Sequence, residues 1–207
     1  MIGIYILGAS GHGKVVLGAL RSAHIAALGF YDDAPELNGS SVSGVPVLGT
    51  FADFGRVEET RAIVAIGNCA CRRRVAEMYP DVAWHSVIHA AAWVDPSAQI
   101  GAGALICAGS VIQPDVSVGE HSIINTGATV DHDSRIGSFV HVCPGVHLGG
   151  NVTIGDGSWI GIGSQVIQGI AIGVNVTVGA GSTVIRDIPD NAVVMGTPAR
   201  IVRYVSC

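Results

Sequence analysis

The sequence predicts a two-part protein of α/β plus all-β class: a small Rossmann-like parallel-sheet domain followed by a parallel β-helix of hexapeptide repeats. Two observations predict this class. An aliphatic residue recurs at every sixth position between residues 94 and 184, and apolar runs alternate with helical stretches before residue 80. The repeat favours a solenoid whose coils bury their side chains only when stacked. The alternation is typical of a parallel sheet covered by helices.

The six-residue repeat is uninterrupted over sixteen hexads, of which the first begins at Val94 and the last at Val184. An α-helix would scatter the first positions around its surface, whereas a strand points positions one and five to the same face. With three hexads in each coil, the repeat predicts five full coils and a fraction. Half of the hexads have glycine at the second position, where we expect tight corners that require a positive φ. These residues are Gly101, Gly119, Gly137, Gly149, Gly155, Gly161, Gly173 and Gly179.

The N-terminal part of the chain predicts strands and helices in alternation. The predicted strands are residues 2–8, 26–31 and 62–68, with an edge strand or turn at 46–49; the predicted helices span 14 to about 23 and about 71 to 79. We therefore divide the chain into three parts. They are a Rossmann-like domain (residues 1–80), a connecting segment (81–93) and a β-helix domain with a C-terminal cap (94–207).

Composition restricts the class of partner. The net charge is −5 and Lys14 is the only lysine, which argues against a nucleic-acid or anionic-membrane surface built from clustered cations. The one basic run, Arg72–Arg74, is predicted to lie on a solvated helix face. The five cysteines have neither disulfide nor zinc spacing, so we expect reduced thiols in a cytoplasmic protein without a signal peptide or membrane span.

A glycine-rich loop follows the first predicted strand. Gly8, Gly11 and Gly13 lead directly into a helix, an arrangement that presents backbone N–H groups to a phosphate. The spacing differs from the G-x-G-x-x-G fingerprint and so does not indicate NAD. Asp32–Asp33 and Gly67 end the other two clear strands and should meet the loop at the same sheet edge. The alternative is that the glycines form only a tight turn and the aspartates a solvated loop.

His132 is the candidate catalytic residue of the β-helix. It stands between Asp131 and Asp133, and a carboxylate beside an imidazole raises its basicity and holds one tautomer, as a general base requires. The alternative interpretation is a solvated polar turn. His141 and His147 fall in the next two hexads, on different faces, so the three histidines cannot converge within one chain. Packing around a threefold axis could bring such residues from adjacent subunits together.

Several motifs occur together in an order shared by one group of enzymes. They are residues 6–13 (ILGASGHG), Asp32–Asp33, residues 65–68 (AIGN), Asn125–Thr126, His132–Asp133, the hexads and residues 196–200 (GTPAR). Over essentially its whole length the chain resembles the bacterial sugar acetyltransferases that join a Rossmann-like domain to a left-handed β-helix. This group includes nucleotide-4-amino-sugar N-acetyltransferases and sialic acid O-acetyltransferase-like enzymes. The resemblance implies a left-handed coil, a homotrimer and acetyl-CoA bound between neighbouring β-helices.

The resemblance also implies roles for individual residues. His132 matches the catalytic base, and Asp133 matches the adjacent acid, often Glu, that supports it. The residues that match substrate-binding positions are Gly11, His12, Gly13, Asp32, Asp33, Gly67 and, facing the sugar, Asn125. The residues that match acetyl-CoA-binding positions are His141, Gly150, Ile162 and Ala180. Among these, the Gly150 N–H is expected to stabilise the oxyanion of the tetrahedral intermediate.

The implied activity is direct transfer of acetyl from acetyl-CoA to the 4-amino group of a nucleotide-linked amino-dideoxy sugar, without a metal. A UDP-linked 4-amino-4,6-dideoxy sugar is the first choice of acceptor. GDP- or dTDP-linked amino sugars and a sialic acid hydroxyl are the alternatives within the class. Two other classes stay open: a zinc-dependent carbonic anhydrase-like β-helix using His132, His141 and His147, and a non-catalytic nucleotide-sugar sensor or scaffold.

Overall fold

A computed structural model of the chain describes residues 3–57 and 61–205. It confirms the predicted fold class, a parallel-sheet domain followed by a β-helix of hexapeptide repeats. Ile2, the first residue of the predicted strand, and Cys207 lie outside the described residues. No helix in the described ranges is long and apolar enough to cross a bilayer.

The N-terminal sheet has the order β3-β4-β2-β1-β5-β6 and is parallel except where β3 pairs with β4. Its strands are β1 (Gly3–Leu7), β2 (Ala26–Tyr31), β3 (Ser41–Val42), β4 (Val45–Gly49), β5 (Arg61–Val64) and β6 (Ala83–Trp84). The helices are α1 (Gly11–Ser22), α2 (Phe51–Phe54) and α3 (Cys69–Glu77), with a 3₁₀ turn at Pro35–Leu37. The segment predicted as an edge strand or turn is thus β4, which lies inside the sheet beside β2.

Several boundaries differ from the prediction, among them the end of α3 at Glu77 rather than about 79, and two of them differ for clear local reasons. Helix α1 begins at Gly11 rather than Lys14, because the last two glycines of the loop belong to its first turn. Gly13 must lack a side chain there, since a Cβ atom would collide with the carbonyl oxygen of Gly8. Strand β5 ends at Val64, before the predicted 68, because the chain leaves the sheet so that the Asn68 side chain can accept a hydrogen bond from Cys71 N (2.9 Å) and cap α3.

The β-helix is a three-sided prism, and we number its faces in chain order. Face 1 contains β7 (Val87–Ile88), β10 (Leu105–Ile106), β13 (Ile123–Ile124), β16 (His141–Val142), β19 (Trp159–Ile160), β22 (Thr177–Val178), β24 (Ala192–Met195) and antiparallel β25 (Arg200–Tyr204). Face 2 contains β8 (Trp93–Val94), β11 (Val111–Ile112), β14 (Thr129–Val130), β17 (His147–Leu148), β20 (Gln165–Val166) and β23 (Thr183–Val184). Face 3 contains β9 (Gln99–Ile100), β12 (Ser117–Val118), β15 (Arg135–Ile136), β18 (Thr153–Ile154) and β21 (Ala171–Ile172).

First- and fifth-position side chains fill the interior of the prism, as predicted. Ile112, Val130 and Ile160 are fully buried in this column. The fifth-position serines are buried as well, because their hydroxyls bond to backbone groups of the next coil. Ser122 Oγ, for example, donates to Gly137 O (2.7 Å) and accepts from Val140 N (2.9 Å). The polar atoms inside the column are therefore paired.

The expectation that second-position glycines take a positive φ is wrong. The left-handed conformation falls at the fourth position instead, where most residues are Gly, Asn or Asp. The residues concerned are Gly103, Gly109, Asp115, His121, Gly127, Asp133, Phe139, Gly145, Asn151, Gly157, Gly163, Gly169, Asn175 and Gly181. The second-position glycines are needed for close approach between coils, since a Cβ at Gly161 would lie 2.5 Å from Val178 O.

The N-terminal domain covers face 1. Leu105 and Ile123 point outward from that face, yet both are buried in a cluster with Val16 and Leu20 of α1. None of the outward residues of faces 2 and 3 is buried, and several of them, such as His147 and Arg135, are exposed. The segment 81–93 joins the two parts, because it contributes β6 to the parallel sheet and β7 to the first coil.

The predicted solvated face for Arg72–Arg74 is wrong for Arg72, whose side chain is fully buried. It lies between α3 and the β-helix and donates hydrogen bonds to carbonyl groups on both sides of this junction. Arg73 stacks over the ring of Phe139 at 4.9 Å, and Arg74 is exposed. The guanidinium of Arg72 can be buried because several carbonyl oxygens accept its hydrogen bonds.

Candidate active site

Third-position residues form columns along the corners of the prism. The corner between faces 1 and 2 carries Ala108, Thr126, Pro144, Ile162 and Ala180. The corner between faces 2 and 3 carries Pro114, His132, Gly150, Gln168 and Arg186. His132 and Gly150 are thus consecutive in one column, whereas Ile162 and Ala180 belong to the other. Face 2 separates these columns within one chain.

His132 and Asp133 form an exposed pair at the corner between faces 2 and 3. His132 Nδ1 lies 2.7 Å from Asp133 Oδ2, and the two side chains are 60% and 59% exposed. Asp133 takes the positive φ of the fourth position (60°). The backbone N–H of His132 donates to Asp131 Oδ1 at 2.9 Å. Both neighbouring carboxylates therefore accept a hydrogen bond from His132, one from its backbone and one from its ring.

The carboxylates set the charge and tautomer of His132. The hydrogen bond that His132 Nδ1 donates to Asp133, followed by the nearby charge of Asp131, raises the pKa of His132 above its ordinary value. An ionised Asp133 accepts hydrogen bonds but cannot donate them, so Nδ1 of the neutral ring carries the proton. Nε2 is then left with a free lone pair. This is the arrangement that a general base requires.

Gly150 lies directly against the ring of His132 in the next coil. A Cβ at Gly150 would come within 2.7 Å of His132 Nε2, so only glycine leaves room for the imidazole there. None of the described residues accepts a hydrogen bond from the Gly150 amide. A groove of about 400 Å³ borders both residues and is also lined by Asn151 and Gln168.

A second polar cluster lies at the junction between the two domains. His141 is 8% exposed, and its Nδ1 lies 3.0 Å from Gly67 O while its Nε2 lies 3.0 Å from Asn125 Nδ2. The ring of His12 lies 6.0 Å from that of His141. The structure therefore brings together four of the predicted site residues, His12, Gly67, Asn125 and His141, although His141 was matched to the coenzyme and the others to the substrate.

The imidazoles of this cluster stay neutral. Burial, reinforced by the charge of Arg72, lowers the pKa of His141 to about 4. Burial and the neighbouring His141 lower the pKa of His12 to about 4 as well. Nε2 of His12 is buried and has no hydrogen-bond partner among the described residues. These two histidines differ from His132, whose pKa is shifted in the opposite direction.

The glycine loop has two structural glycines and one without a structural requirement. Gly8 has φ 114°, and a Cβ there would lie 2.8 Å from Ala65 O. Gly13 is fixed by its approach to Gly8, as described above. A Cβ at Gly11 would meet nothing within 4 Å, so the fold itself does not require glycine there. Close approach by a ligand is a physical reason for the absence of a side chain at Gly11.

Asp32 and Asp33 are engaged by backbone amides. Asp32 Oδ2 accepts from Ala9 N (2.7 Å) and Oδ1 from Ala34 N (2.9 Å). Asp33 Oδ1 accepts from Phe51 N at 2.9 Å. Asp32 thus holds the glycine loop at the carboxyl end of the sheet. By accepting hydrogen bonds from backbone amides, the two carboxylates hold the loops at the edge of the sheet where the nucleotide is predicted to bind.

A cleft of about 890 Å³ opens between α3 and face 1. It is lined by Gly67, Asn68, Cys69, Ala70, His141, Gly157, Trp159, Asn175, Thr177, Asn191 and Val205, none of which carries a formal charge at neutral pH. The cleft borders the cluster of His141 and Gly67. The sequence analysis did not single out Trp159 as a cleft residue, although a tryptophan at an outward sixth position is a signal for it. It also did not identify Arg72 as a residue of the domain junction, for which its place within α3 is the available signal.

No group of three histidine, cysteine or acidic side chains in residues 3–57 and 61–205 is placed to hold a metal ion. The three histidines of the zinc alternative have separate partners: Asp133 for His132, Asn125 and Gly67 for His141, and Thr129 for His147 (2.8 Å). The four cysteines in the described ranges are free.

Comparisons with known proteins match both parts of the chain. Residues 3–79 match the family described as the PglD N-terminal domain. Residues 97–132 match the family of bacterial transferase hexapeptide repeats. Alignments with curated proteins are short: the chain spans 22–24% of the length of the curated relatives it matches, which include a galactoside O-acetyltransferase of Lactococcus lactis that is 42% identical over 48 residues.

Solved structures match over nearly the whole chain. PerB from Caulobacter crescentus, in complex with CoA and GDP-perosamine, is 37% identical with a TM-score of 0.92, and 97% of each chain is covered. The acetyltransferase domain of PglB from Neisseria gonorrhoeae, in complex with acetyl coenzyme A, is 38% identical with a TM-score of 0.92; 97% of this chain and 98% of that chain are covered. WeeI from Acinetobacter baumannii is 28% identical with a TM-score of 0.88, and the match covers 97% of this chain and all of that one (100%).

Proposed function

Because the chain belongs to the sugar acetyltransferase family in which a Rossmann-like domain precedes a hexapeptide β-helix, we propose that it transfers acetyl from acetyl-CoA to the amino group of a nucleotide-linked amino sugar. The observation that carries this proposal is the His132–Asp133 pair, with Nδ1 bonded to the carboxylate and Nε2 free at an exposed corner. The acceptor position is the 4-amino group of an amino-dideoxy sugar.

In this mechanism His132 acts as the general base. Its Nε2 removes a proton from the sugar amine as the amine nitrogen attacks the acetyl carbon of the thioester. The carbon–sulfur bond breaks as the tetrahedral intermediate collapses, and the proton passes from His132 to the departing sulfur. The Gly150 N–H, beside the ring, stabilises the oxyanion. Asp133 keeps the ring oriented and stabilises its protonated form.

The active enzyme in this proposal is a homotrimer. Gly150 lies beside His132, whereas Ile162 and Ala180 lie on the other corner of face 2. One pantetheine arm can touch both sets where a corner of one subunit faces the other corner of its neighbour. Faces 2 and 3 are available for such packing because the N-terminal domain covers only face 1. Light scattering of the purified protein should therefore give three times the mass of the 21.1 kDa chain.

The nucleotide occupies the carboxyl end of the N-terminal sheet in this proposal. The amides at the start of α1 face that edge, and Gly11 leaves room for close approach. Arg72 adds a buried positive charge behind Gly67 that no carboxylate in the described residues neutralises. Both features favour a ligand with negative charge, as a diphosphate has.

The test is acetyl transfer by the purified wild-type chain, measured as thiol release from acetyl-CoA. The acceptors are UDP-, GDP- and dTDP-linked 4-amino sugars, with the GDP-linked sugar tried first because PerB was solved with GDP-perosamine. Mass spectrometry of the product should show one added acetyl group on nitrogen. Thiol release with free sialic acid and with none of these sugars, or release that depends on zinc, would overturn the proposal.

Binding is measured separately by thermal shift. A ligand of the native state stabilises it by about 2.7 kcal/mol at a hundredfold excess over Kd. We expect a shift with the correct nucleotide sugar and a smaller shift with the corresponding nucleoside diphosphate. The nucleobase that gives the largest shift identifies the natural acceptor class.

A further inference from the structure

Lys14 is the only lysine of the chain, and the proposed mechanism does not use it. Its side chain is exposed near the start of α1, and none of the described residues forms a salt bridge with it. Lys14 and Val15 line a pocket of about 170 Å³ that Ala108 and Thr126 also line. These last two residues belong to the corner between faces 1 and 2. The lysine therefore lies beside the corner that faces a partner subunit in the proposed trimer.

The corner between faces 2 and 3 is acidic in its first three coils. Asp95 lies in the first coil, Asp115 in the second, and Asp131 and Asp133 on either side of His132 in the third. We call these four aspartates the acidic corner. None of them has a lysine or arginine partner among the described residues.

The opposite corner of face 2 lacks such charges. No acidic residue occurs in the turns between faces 1 and 2, which are residues 89–92, 107–110, 125–128, 143–146, 161–164 and 179–182. The cation nearest to these turns is Lys14, which α1 supplies from the N-terminal domain. The two corners are therefore complementary in charge, one with a lysine and the other with carboxylates.

The proposed trimer brings these two corners together at the same level. Acetyl-CoA can touch Gly150 of one subunit and Ile162 of the partner subunit only where the prisms run side by side. Rotation about an axis parallel to the prisms keeps each coil at the height of its copies. Thr126 and the turn that contains His132 belong to the same coil, the third. Lys14, beside Thr126, is thus level with His132 of the partner subunit.

We propose that Lys14 is a positioning residue that completes the active site of the partner subunit, where its ammonium group binds the acidic corner beside the catalytic histidine. The inference rests on the proposed function for the trimer and for the role of His132. Complementary charges on two surfaces fix the register in which they meet. Lys14 would hold the carboxylates that orient the imidazole, and it would reduce the net negative charge around the ring.

Zero-length cross-linking tests this contact directly. A carbodiimide activates a carboxylate, the lysine amine attacks the activated carbonyl carbon, and an amide forms as the carbodiimide departs as a urea. Because the chain has one lysine, mass spectrometry can assign every peptide that contains a linked Lys14. We expect wild-type protein to give bands of two and three chains on a denaturing gel, with Lys14 joined to Asp115, Asp131 or Asp133.

Lys14→Arg is the matched control for cross-linking. The guanidinium keeps the positive charge but does not form the amide, so these links should disappear while light scattering still gives a trimer. A wild-type protein that is trimeric by light scattering but forms no link between Lys14 and the acidic corner of another chain would overturn the proposal.

The charge of Lys14 should also appear in the pH dependence of catalysis. The charged groups around His132 are Asp131 and Asp133 in its own turn, Asp115 one coil earlier and, in the trimer, Lys14 of the partner subunit. A positive charge disfavours the protonated imidazole. Lys14→Met should therefore move the acidic limb of the kcat/KM profile to higher pH, by about half a pH unit.

Two variants distinguish this effect from a general loss of charge or of structure. Lys14→Arg should return the acidic limb to its wild-type position, because it restores the cation. Arg74→Met removes one positive charge from the exposed side of α3, which borders the corner between faces 3 and 1, and should leave the limb unmoved. An unmoved limb in Lys14→Met, or one moved to lower pH, would overturn the proposal.

The contact and the proposed function can fail separately. Wild-type protein that forms the Lys14 links but acetylates no nucleotide amino sugar would refute the proposed function and support the contact. Wild-type protein that transfers acetyl as a trimer without any such link would support the function and refute the contact.

Discussion

The ring of His132 occupies the space that a Cβ atom of Gly150 would need, one coil further along the same corner of the prism. The contact joins the candidate base to the amide expected to stabilise the oxyanion, at residues eighteen positions apart in sequence. This spacing is one turn of the β-helix. The stacking of coils alone therefore sets the distance between the imidazole and the Gly150 amide.

Gly150→Ala should impair catalysis while leaving the fold intact. The new methyl group would lie 2.7 Å from His132 Nε2, so the ring must move. A displacement of about 1 Å can cost about a hundredfold in rate, and we expect a loss in kcat of that order. Gly18→Ala is the matched control, because a Cβ there meets nothing within 4 Å. Normal turnover in the Gly150 variant would show that His132 acts in a different orientation.

His132→Ala should lower kcat by about two to four orders of magnitude, the usual contribution of a general base. The side chain is 60% exposed within the chain, so its removal should leave the folded subunit intact, and we expect the trimer to survive. Thiol release measures the rate and light scattering the mass. His89→Ala, in the first coil, is a control of the same residue type. Near-normal kcat in the His132 variant would refute its assignment as the base.

Asp133→Asn should change the pH dependence as well as the rate. Asparagine tolerates the positive φ of this position, so the backbone is preserved. The carboxylate raises the pKa of His132, and the base is active only when unprotonated. Removing the carboxylate should move the acidic limb of the kcat/KM profile to lower pH and reduce its plateau. A profile with an unmoved limb would show that a different group titrates in catalysis.

Folding stability should fall as the pH drops from about 6.5 towards 4. Burial lowers the pKa of His12, His121 and His141 to about 4 in the folded state, below the ordinary histidine value of 6.5. The unfolded chain therefore binds more protons in this window, and each histidine contributes a slope of about 1.4 kcal/mol per pH unit. Above pH 6.5 these histidines are neutral in both the folded and the unfolded chain, so none of the folding stability is lost to their protonation. Urea unfolding at a series of pH values measures the slope.

His121→Phe isolates one of these contributions. The His121 ring stacks on Phe139 at 5.1 Å and meets Trp84 edge-on, and its Nδ1 has no partner among the described residues. Phenylalanine can keep both contacts without binding a proton. The slope of stability against pH should therefore decrease in this variant. An unchanged slope would place the acid sensitivity in other groups.

The sequence alone predicted the order of the domains and the interior of the β-helix. A six-residue period fits a three-sided coil and no α-helix, so Val130 and Ile160 could be assigned to the column from spacing alone. The pairing of His132 with Asp133 was also predictable, because adjacent residues at a corner stay near each other in any coil. Burial along a regular repeat and contacts between adjacent residues can both be predicted from sequence, because they depend only on spacing along the chain.

Only the tertiary structure decided how the two domains meet. Nothing in the run Arg72–Arg74 distinguishes a buried guanidinium from a solvated one, since the outcome depends on carbonyl groups at residues 121, 139 and 140. The bonds of His141 to Gly67 and Asn125 likewise join distant parts of the chain. Burial of a polar side chain is stable only when its partners arrive from elsewhere, and a sequence pattern does not contain their positions.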